Sequence, residues 1–309
     1  MSKPVALILL NWNTPEYTAD CIKSVLEYCN PDHFDIIVTD NGSTDGSLEL
    51  LQSQFPDLIY LDNKENLGFA EGNNRAIAYS ISKGYTYSLI MNTDTLVDSD
   101  IISKMLQHLQ THREASAVQP AIYWMHDRNK IWNGDSYVNF VLGFTYNKKN
   151  TPESSNEHDY KKVEWVTGCC CLIRNEVLKQ TGGFNKQFFL YYEDVELSFR
   201  LRAQGYELHY LPSCKMYHEA GASGKEKKNN EGTLSPVIHY YVNRNKIWFL
   251  RGYGKPLFYP LVFLYNAPYY LALYSYFKLR GRNKKAEYLF KGLKDGFFTP
   301  KNLIWPSKP

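Results

Sequence analysis

Asn92-Thr93-Asp94 closes an apolar run, Tyr87–Met91, and so puts a carboxylate at the end of what reads as a buried strand. That is a poor choice for stability. It is well suited to holding a divalent cation and, through the cation, a diphosphate. Two other apolar runs end in the same way. Val5–Leu10 closes on Asn11-Trp12-Asn13, and Phe34–Thr39 closes on Asp40-Asn41-Gly42-Ser43-Thr44-Asp45-Gly46-Ser47. Far downstream, Glu193-Asp194 opens a helical pattern and offers a carboxylate for proton transfer. His218 adds an imidazole.

Each of these features has a plainer reading when taken alone. Gly, Asn, Asp and Ser form turns, so Asp40–Ser47 can be only a turn. It is a poor calcium loop, because Gln52 stands where such a loop ends in Glu. Asn92–Asp94 can cap the helix that follows. Glu193-Asp194 can be acidic residues favoured by a helix dipole. That dipole would lower the pKa of Asp194 and weaken it as a base, while Glu193 would push the other way. His218 can be a structural histidine, and His239–Asn245 can be one face of a helix.

The elements between these motifs follow a simple rhythm. Helices are expected from Pro15 to about Tyr28, over 47–54 and over 70–83, the last stopped by Gly84. Strands are expected at 5–10, 34–39, 58–61 and 87–91. Continuous apolar strands alternating with helices predict a doubly wound parallel sheet. Ligands of such sheets sit beyond the C-terminal strand ends, where all three polar clusters fall. A helix over 98–112, capped by Asp98 or Ser99, comes next. Residues 113–165 show no clear period, and 147–162 reads as an exposed, mobile loop. Trp165–Ile173 reads as a strand, Gly182-Gly183-Phe184 as a turn, Glu193–Gln204 as a helix and Tyr206–Leu211 as a strand.

The 309 residues are 44% hydrophobic and 22% charged, which fits a folded globular chain. The net charge of +3 is unevenly spread. From residue 221 onward there are 16 Lys/Arg against 4 Asp/Glu, while residues 1–220 hold 19 against 28. A basic, Tyr-rich tail on an acidic body favours an anionic lipid surface over nucleic acid as partner. Between Lys255 and Lys278 lie 22 uncharged residues, enough to span a membrane. Three prolines and many Tyr/Phe residues suit the lipid–water interface better. The six cysteines form no CxxC pair and no signal peptide is evident, so a reducing cytoplasm is expected.

As a set, these motifs resemble the inverting family 2 glycosyltransferases with a GT-A fold. The resemblance runs over about residues 4–250. It is carried by Asn11-Trp12-Asn13, Asp40–Ser47, Asn66-Leu67-Gly68-Phe69-Ala70-Glu71-Gly72-Asn73-Asn74, Asn92–Asp94, Thr167-Gly168, Gly182-Gly183-Phe184, and Tyr192-Glu193-Asp194 with Arg200 and Gly205. The branch it looks most like is the rhamnosyltransferase-like enzymes of bacterial surface polysaccharides such as O-antigen. Tyr240-Tyr241-Val242-Asn243-Arg244-Asn245 and Lys291–Gly296 are similar to that branch's C-terminal patterns.

The resemblance implies an α/β, GT-A-type, mostly parallel sheet flanked by helices. Residues 1–220 would form the catalytic domain, with 1–97 binding a nucleotide-diphosphate sugar and 98–220 the acceptor. Residues 221–309 would be a helical, possibly membrane-associated extension. Asp40 would contact the base or ribose, with Asn11, Asn13, Asn66, Gly68, Asn73, Asn92 and Thr93 nearby. Asp94 would hold Mg²⁺ or Mn²⁺ on the diphosphate, with His218 as a further ligand. Asp194 would be the catalytic base, with Glu193 beside it. Asn92 stands where many members carry the first Asp of a DxD triplet, which implies a weaker, more substrate-dependent metal site. The expected donor is dTDP-rhamnose, with UDP-hexoses and UDP-galactofuranose as alternatives. The expected acceptor is a saccharide or polyprenyl-linked saccharide at the inner face of the cell membrane. Two rivals are a sugar nucleotidyltransferase and a non-catalytic nucleotide-sugar-binding partner. The first usually carries a Gly-rich, basic loop after strand one, and Asn11–Pro15 has neither Gly nor a basic residue.

Overall fold

The computed structural model describes residues 3–148, 159–221, 225–229 and 231–305. The first part is a βα series: β1 (Val5–Asn11), α1 (Pro15–Tyr28), β2 (Phe34–Asp40), α2 (Ser47–Gln54), β3 (Ile59–Asp62), α3 (Gly68–Ser82), β4 (Tyr87–Met91), β5 (Thr95–Leu96) and α4 (Ile101–Thr111). The middle part carries β6 (Ala115–Trp124), β7 (Ile131–Asn133), β8 (Asp135–Asn139), β9 (Phe144–Lys148), β10 (Lys161–Lys162), β11 (Cys170–Arg174), α5 (Asn175–Thr181), α6 (Glu193–Ala203) and β12 (Glu207–His218). After the short pair β13 (Lys225–Asn229) and β14 (Gly232–Leu234) come four helices: α7 (Pro236–Tyr253), α8 (Tyr259–Leu279), α9 (Asn283–Phe298) and α10 (Lys301–Ile304).

The large sheet runs β10-β12-β6-β11-β4-β1-β2-β3. Neighbours β4, β1, β2 and β3 are parallel, as are β12 and β6. β11 is antiparallel to both β4 and β6, so the sheet is mixed but mostly parallel. Alternation along β1 explains its unbroken apolar sequence. Val5, Leu7 and Leu9 join Ile22 of α1 and Met105 of α4 on one face. Ile8 joins Ala76 of α3, Val177 of α5 and Leu201 of α6 on the other. A third cluster, with Trp165, Phe188, Val195, Trp248 and Phe249, joins α6 to α7. All six cysteines are buried and none is in a disulfide, which accounts for them as small apolar residues.

Several boundaries differ from the sequence reading. The stretch 113–165 holds five strands rather than irregular chain. Of the loop expected at 147–162, residues 149–158 lie outside the described residues, and its flanks end β9 and form β10. The last sheet strand continues past Leu211 to His218, because its ladder to β6 resumes after a register shift between Leu211 and Lys215. The uncharged stretch forms a short turn of 3₁₀ helix and then α8. Among the described residues no helix is long and apolar enough to cross a membrane.

Helix α4 is capped by Asp100, not by Asp98 or Ser99. The Asp100 carboxylate accepts from the Ser103 N–H at 2.9 Å and from the Asn30 N–H at 3.2 Å. Asp98 instead accepts from the Tyr217 hydroxyl at 2.7 Å. Asp100→Ala is expected to lower unfolding stability by about 1 kcal/mol, measured by urea denaturation, while Asp98→Ala leaves the cap intact.

Candidate functional site

The first half of the site is a lattice of Asn and Asp side chains at neighbouring strand ends. Asn11 and Asp40 are register partners on β1 and β2. The Asn11 amide donates to Asp40 Oδ1 at 2.9 Å and to Ser43 Oγ at 3.1 Å, and its oxygen accepts from the Thr18 hydroxyl at 2.8 Å. Asp40 Oδ2 accepts from the Ser43 N–H at 2.8 Å. Asn13 takes a left-handed backbone (φ 53) and accepts from the Thr44 N–H at 2.8 Å. Both oxygens of Asp40 therefore shape the loop first; a carboxylate has lone pairs left for a ligand.

Asn41 ties this loop to the next. Its amide donates to Asn66 Oδ1 at 3.1 Å, and its oxygen accepts from Asn63 Nδ2 and the Leu67 N–H, each at 3.2 Å. Asn66 in turn accepts from the Gly68 N–H at 2.9 Å. Gly68 has φ +74, and a Cβ there would come within 2.5 Å of the Phe189 ring. Asn73 is buried in α3 and donates to the Phe69 carbonyl at 2.8 Å. Its neighbour Asn74 makes a paired bond to the Phe184 backbone, 2.8 Å each way, which explains why Gly183 beside it has no room for a side chain.

At the end of β4, the Asn92 N–H donates to the Cys169 carbonyl at 2.8 Å. Thr93 and Asp94 are buried. Strand β5 then pairs with the end of β12, Thr95 opposite His218. That pairing sets His218 Nε2 3.1 Å from Asp94 Oδ1. His218 is buried, its ring packs edge-on against Trp132 at 4.4 Å, and its Nδ1 has no hydrogen-bond partner among the described residues. A carboxylate and an imidazole at this separation fit two positions in the shell of one divalent cation. A second group with ligand atoms within 4.8 Å of one another, Glu114, Glu207 and His209, lies at the opposite, N-terminal end of the parallel strands.

Asp194 reaches the same end of the sheet through β11. Cys170 of β11 pairs with Met91 of β4, so Thr167-Gly168 lies beside Asn92–Asp94. The Gly168 N–H donates to Asp194 Oδ2 at 2.9 Å, and the Val195 N–H to Oδ1 at 2.7 Å. Gly168 packs directly on Asp194 and Phe69. Burial, with smaller contributions from the charges of Glu193 and Asp94, pushes the Tyr191 hydroxyl pKa up to about 12.

Burial decides the electrostatics of the acidic pair. It raises the pKa of Asp194 against the lowering effect of the Gly168 and Val195 N–H groups and of the Thr167 side chain. Burial raises Glu193 well above the usual carboxylate range, and the charge on Asp194 adds to it. Glu193 Oε2 has no partner among the described residues. The N–H groups of Gly168 and Val195 on Asp194, set against the unpartnered Glu193 Oε2, favour the charge on Asp194 over Glu193.

The segment leading into Asp194 is strained. Phe189, Tyr191 and Tyr192 all have positive φ (61, 67 and 66) without being glycine. Two residues of α7 hold it. Fully buried Asn245 shares its amide hydrogens among the carbonyls of Phe188, Leu190 and Tyr191 at 2.7–2.8 Å. Arg244 donates to the carbonyls of Gln187 at 2.9 Å and Phe188 at 3.1 Å. Sequence reasoning placed both residues in a C-terminal pattern without a role. Asn41 was likewise passed over; the repeated Asn beside each strand end was the available signal.

The structure brings Asn11, Asn13, Asp40, Asn66 and Gly68 into one network of linked loops, and Asp94 and His218 into one pair. Asn73 is turned into its own helix.

A family model, "Glycosyl transferase family 2", matches residues 7–182. The rhamnosyltransferase WbbL of Escherichia coli (strain K12) is 31% identical over 217 residues, covering 65% of this chain and 79% of the relative. An N-acetylglucosaminyl-diphospho-decaprenol L-rhamnosyltransferase of Mycobacterium tuberculosis is 26% identical over 217 residues, covering 62% and 68%. Among solved structures, GalNAc-T7 with UDP, GalNAc and Mn²⁺ superposes with TM-score 0.61 at 12% identity, over 81% of this chain and 48% of that one. At that identity the likeness is one of fold.

Two outcomes follow from the site. Asn245→Ala leaves buried carbonyls unpaired on a strained segment and is expected to cost about 2–3 kcal/mol, read by denaturant unfolding. Glu193 has a raised folded pKa, so its contribution to stability is present below its unfolded value and is lost as pH rises. Glu193→Gln is therefore expected to gain stability relative to wild type as pH is raised from 4.5 to 7, in parallel melts.

Proposed function

The chain belongs to glycosyl transferase family 2, and from that premise we propose that it transfers a sugar, with inversion, from a nucleotide-diphosphate sugar to a hydroxyl of a saccharide. The observation that carries this reading is the meeting of two acidic centres at one sheet end. Asp94 with His218 stands on one side, and Asp194, held by the Gly168 N–H, stands on the other.

In the proposed reaction Asp194 accepts the proton of the acceptor hydroxyl. The acceptor oxygen forms a bond to the anomeric carbon as the bond to the diphosphate breaks on the opposite face. The electron pair of that bond leaves with the nucleoside diphosphate. Charge at the carbon is oxocarbenium-like at the transition state. Asp94 and His218 are the residues that would hold Mg²⁺ or Mn²⁺, which when bound supplies positive charge against the diphosphate. Asp40, Asn11 and Asn13 would line the nucleoside, and Asn66, Gly68, Asn92 and Thr93 the rest of the donor, whereas Asn73, bonded to the Phe69 carbonyl, would only hold the start of α3.

The proposed donor is dTDP-rhamnose. Its support is that two relatives are named as rhamnosyltransferases. The proposed acceptor is a saccharide carried on a polyprenyl diphosphate in the synthesis of a surface polysaccharide. The mycobacterial relative's name specifies an acceptor of that chemistry. Such an acceptor would put the enzyme on the anionic inner face of the cell membrane. Leu257, Leu264, Leu271 and Leu279 of the C-terminal part are 66–87% exposed and fit a membrane-facing surface.

Asp194→Asn is expected to lower kcat by about 10²–10⁴-fold while donor affinity, read by calorimetry with dTDP-rhamnose and Mg²⁺, is retained. Normal turnover by this variant rules out the base assignment; donor binding without turnover in wild type favours a non-catalytic binding partner. The base must be ionised, so the rate falls as pH falls through the raised Asp194 pKa. The acid limb of the pH–rate profile is therefore expected above the ordinary carboxyl value of 3.8.

A further inference from the structure

Helices α7, α8 and α9 enclose a cleft of about 820 Å³. Its walls are almost wholly apolar, with Leu250, Val262, Ala267, Leu271, Leu289 and Phe290 among them. One side opens to solvent, since Phe263, Leu271 and Phe290 are each more than 60% exposed. Its volume is that of a small-molecule site rather than a packing defect. No part of the proposed transfer chemistry uses it.

The wall includes two cations. Lys246 donates to Asn266 Oδ1 at 2.7 Å, and burial lowers its pKa to about 8; an anion beside it would stabilise the protonated form. Arg251 donates to the Gly296 carbonyl at 2.8 Å. The same helices and their joints carry Lys255, Lys278, Arg280, Arg282, Lys284, Lys291 and Lys294 against Glu287 and Asp295. This excess of basic residues on the cleft-forming helices would oppose a second copy packed through them, which disfavours a symmetric dimer.

A chain of side-chain contacts also links the wall of the cleft to the segment that precedes Asp194. Asn266, in its wall, donates to the Leu142 carbonyl at 2.8 Å. Leu142 lies in the turn between β8 and β9. That hairpin takes the Trp165 ring N–H on the Tyr137 carbonyl at 3.1 Å, and Thr145 bonds the Tyr192 side chain. Tyr192 directly precedes Glu193-Asp194, and it is near enough to Tyr270 of the cleft for their hydroxyls to interact.

We propose that the cleft between α7, α8 and α9 binds the isoprenoid tail of a phosphate- or diphosphate-linked acceptor, with Lys246 as the cation nearest its anionic group. The assignment rests on the lipid-linked acceptor of the proposed function. It gives the lipid a specific seat rather than a general membrane contact.

The test uses the full chain and farnesyl phosphate as probe, with inorganic phosphate as control. Leu271→Glu places a charge on the exposed rim, and Ala267→Trp fills the cleft; an unchanged melting temperature shows that each folds. Farnesyl phosphate is expected to bind wild type and to bind each variant at least tenfold more weakly, with inorganic phosphate causing no comparable stabilisation. Equal affinity across the three proteins, or no binding to any, overturns the proposal. So does loss of anionic-vesicle binding, or a change of oligomeric state, with unchanged farnesyl phosphate affinity. Affinity for dTDP-rhamnose separates the two readings. Donor binding with cleft-independent lipid binding sinks the cleft alone, whereas cleft-dependent lipid binding without sugar transfer sinks the transferase reading alone.

Discussion

The contact on which the most depends is the Asn245 side chain against the carbonyls of Phe188, Leu190 and Tyr191. Three nearby residues sit in left-handed backbone that costs each of them on the order of 1–3 kcal/mol. Such a segment persists only when its polar groups are satisfied in that conformation alone. Asn245 does this from a fully buried position on α7, and its own oxygen accepts from Arg244 at 2.8 Å. Arg244 stacks on Trp248 at 4.0 Å, so the clamp is itself packed in place. The consequence reaches in two directions. The Phe189 carbonyl accepts from the Ala70 N–H, and the Phe189 ring occupies the space a Cβ on Gly68 would need. Asp194 comes two residues after the segment's last strained residue, Tyr192. One strained loop thus couples the start of α3, the acidic pair and the C-terminal helices.

The sheet supplies the other constraint. Parallel strands deliver their C-terminal ends to one edge, so Asn11, Asp40 and Asp94 converge without long loops. The antiparallel strand β11 does the opposite: it begins at that edge. Thr167-Gly168 is therefore present there as a turn entering a strand; the Gly168 N–H donates to the Asp194 carboxylate, while the Thr167 N–H donates to Gln119 Oε1 at 2.7 Å. Inserting antiparallel β11 between β4 and β6 is what lets Asp94 and Asp194 share an edge.

Local patterns made much of this legible. Continuous apolar runs bounded by Asn and Asp identify buried parallel strands and their ends, because burial on both faces and ligand-end polarity are properties of short windows. The βα series through β4 follows from them. The middle strands are harder, since β6 carries Pro120 and β12 carries Pro212, residues that usually argue against a strand. The register shift between Leu211 and Lys215 absorbs the second of these. The cap at Asp100 was obscured by acidic Asp98 two residues earlier, which turns to Tyr217 instead. Asn245 was out of reach of any window. Its partners lie 54–57 residues earlier in the chain, and nothing in Arg-Asn marks a carbonyl clamp. Asn41 sat inside a recognised motif, yet its role is to join two loops rather than to face a ligand.

The pairing of Asp94 with His218 bears on the departure at Asn92. A carboxylate and a neutral imidazole carry one negative charge between them, where two carboxylates would carry two. For any divalent ion held there, attraction by the protein alone is correspondingly weaker, and the diphosphate oxygens provide a larger share of the charge and of the ligands. The geometry is not looser for it. The β5–β12 pairing fixes both residues, the Asp94 carbonyl accepts from the Glu219 N–H at 3.0 Å, and Trp132 backs the imidazole. In the proposed transferase a rigid but weakly charged pair would tie ion binding to donor binding. Such a site spends less of its affinity on an ion held without substrate, and the order of assembly follows from charge rather than from a moving part.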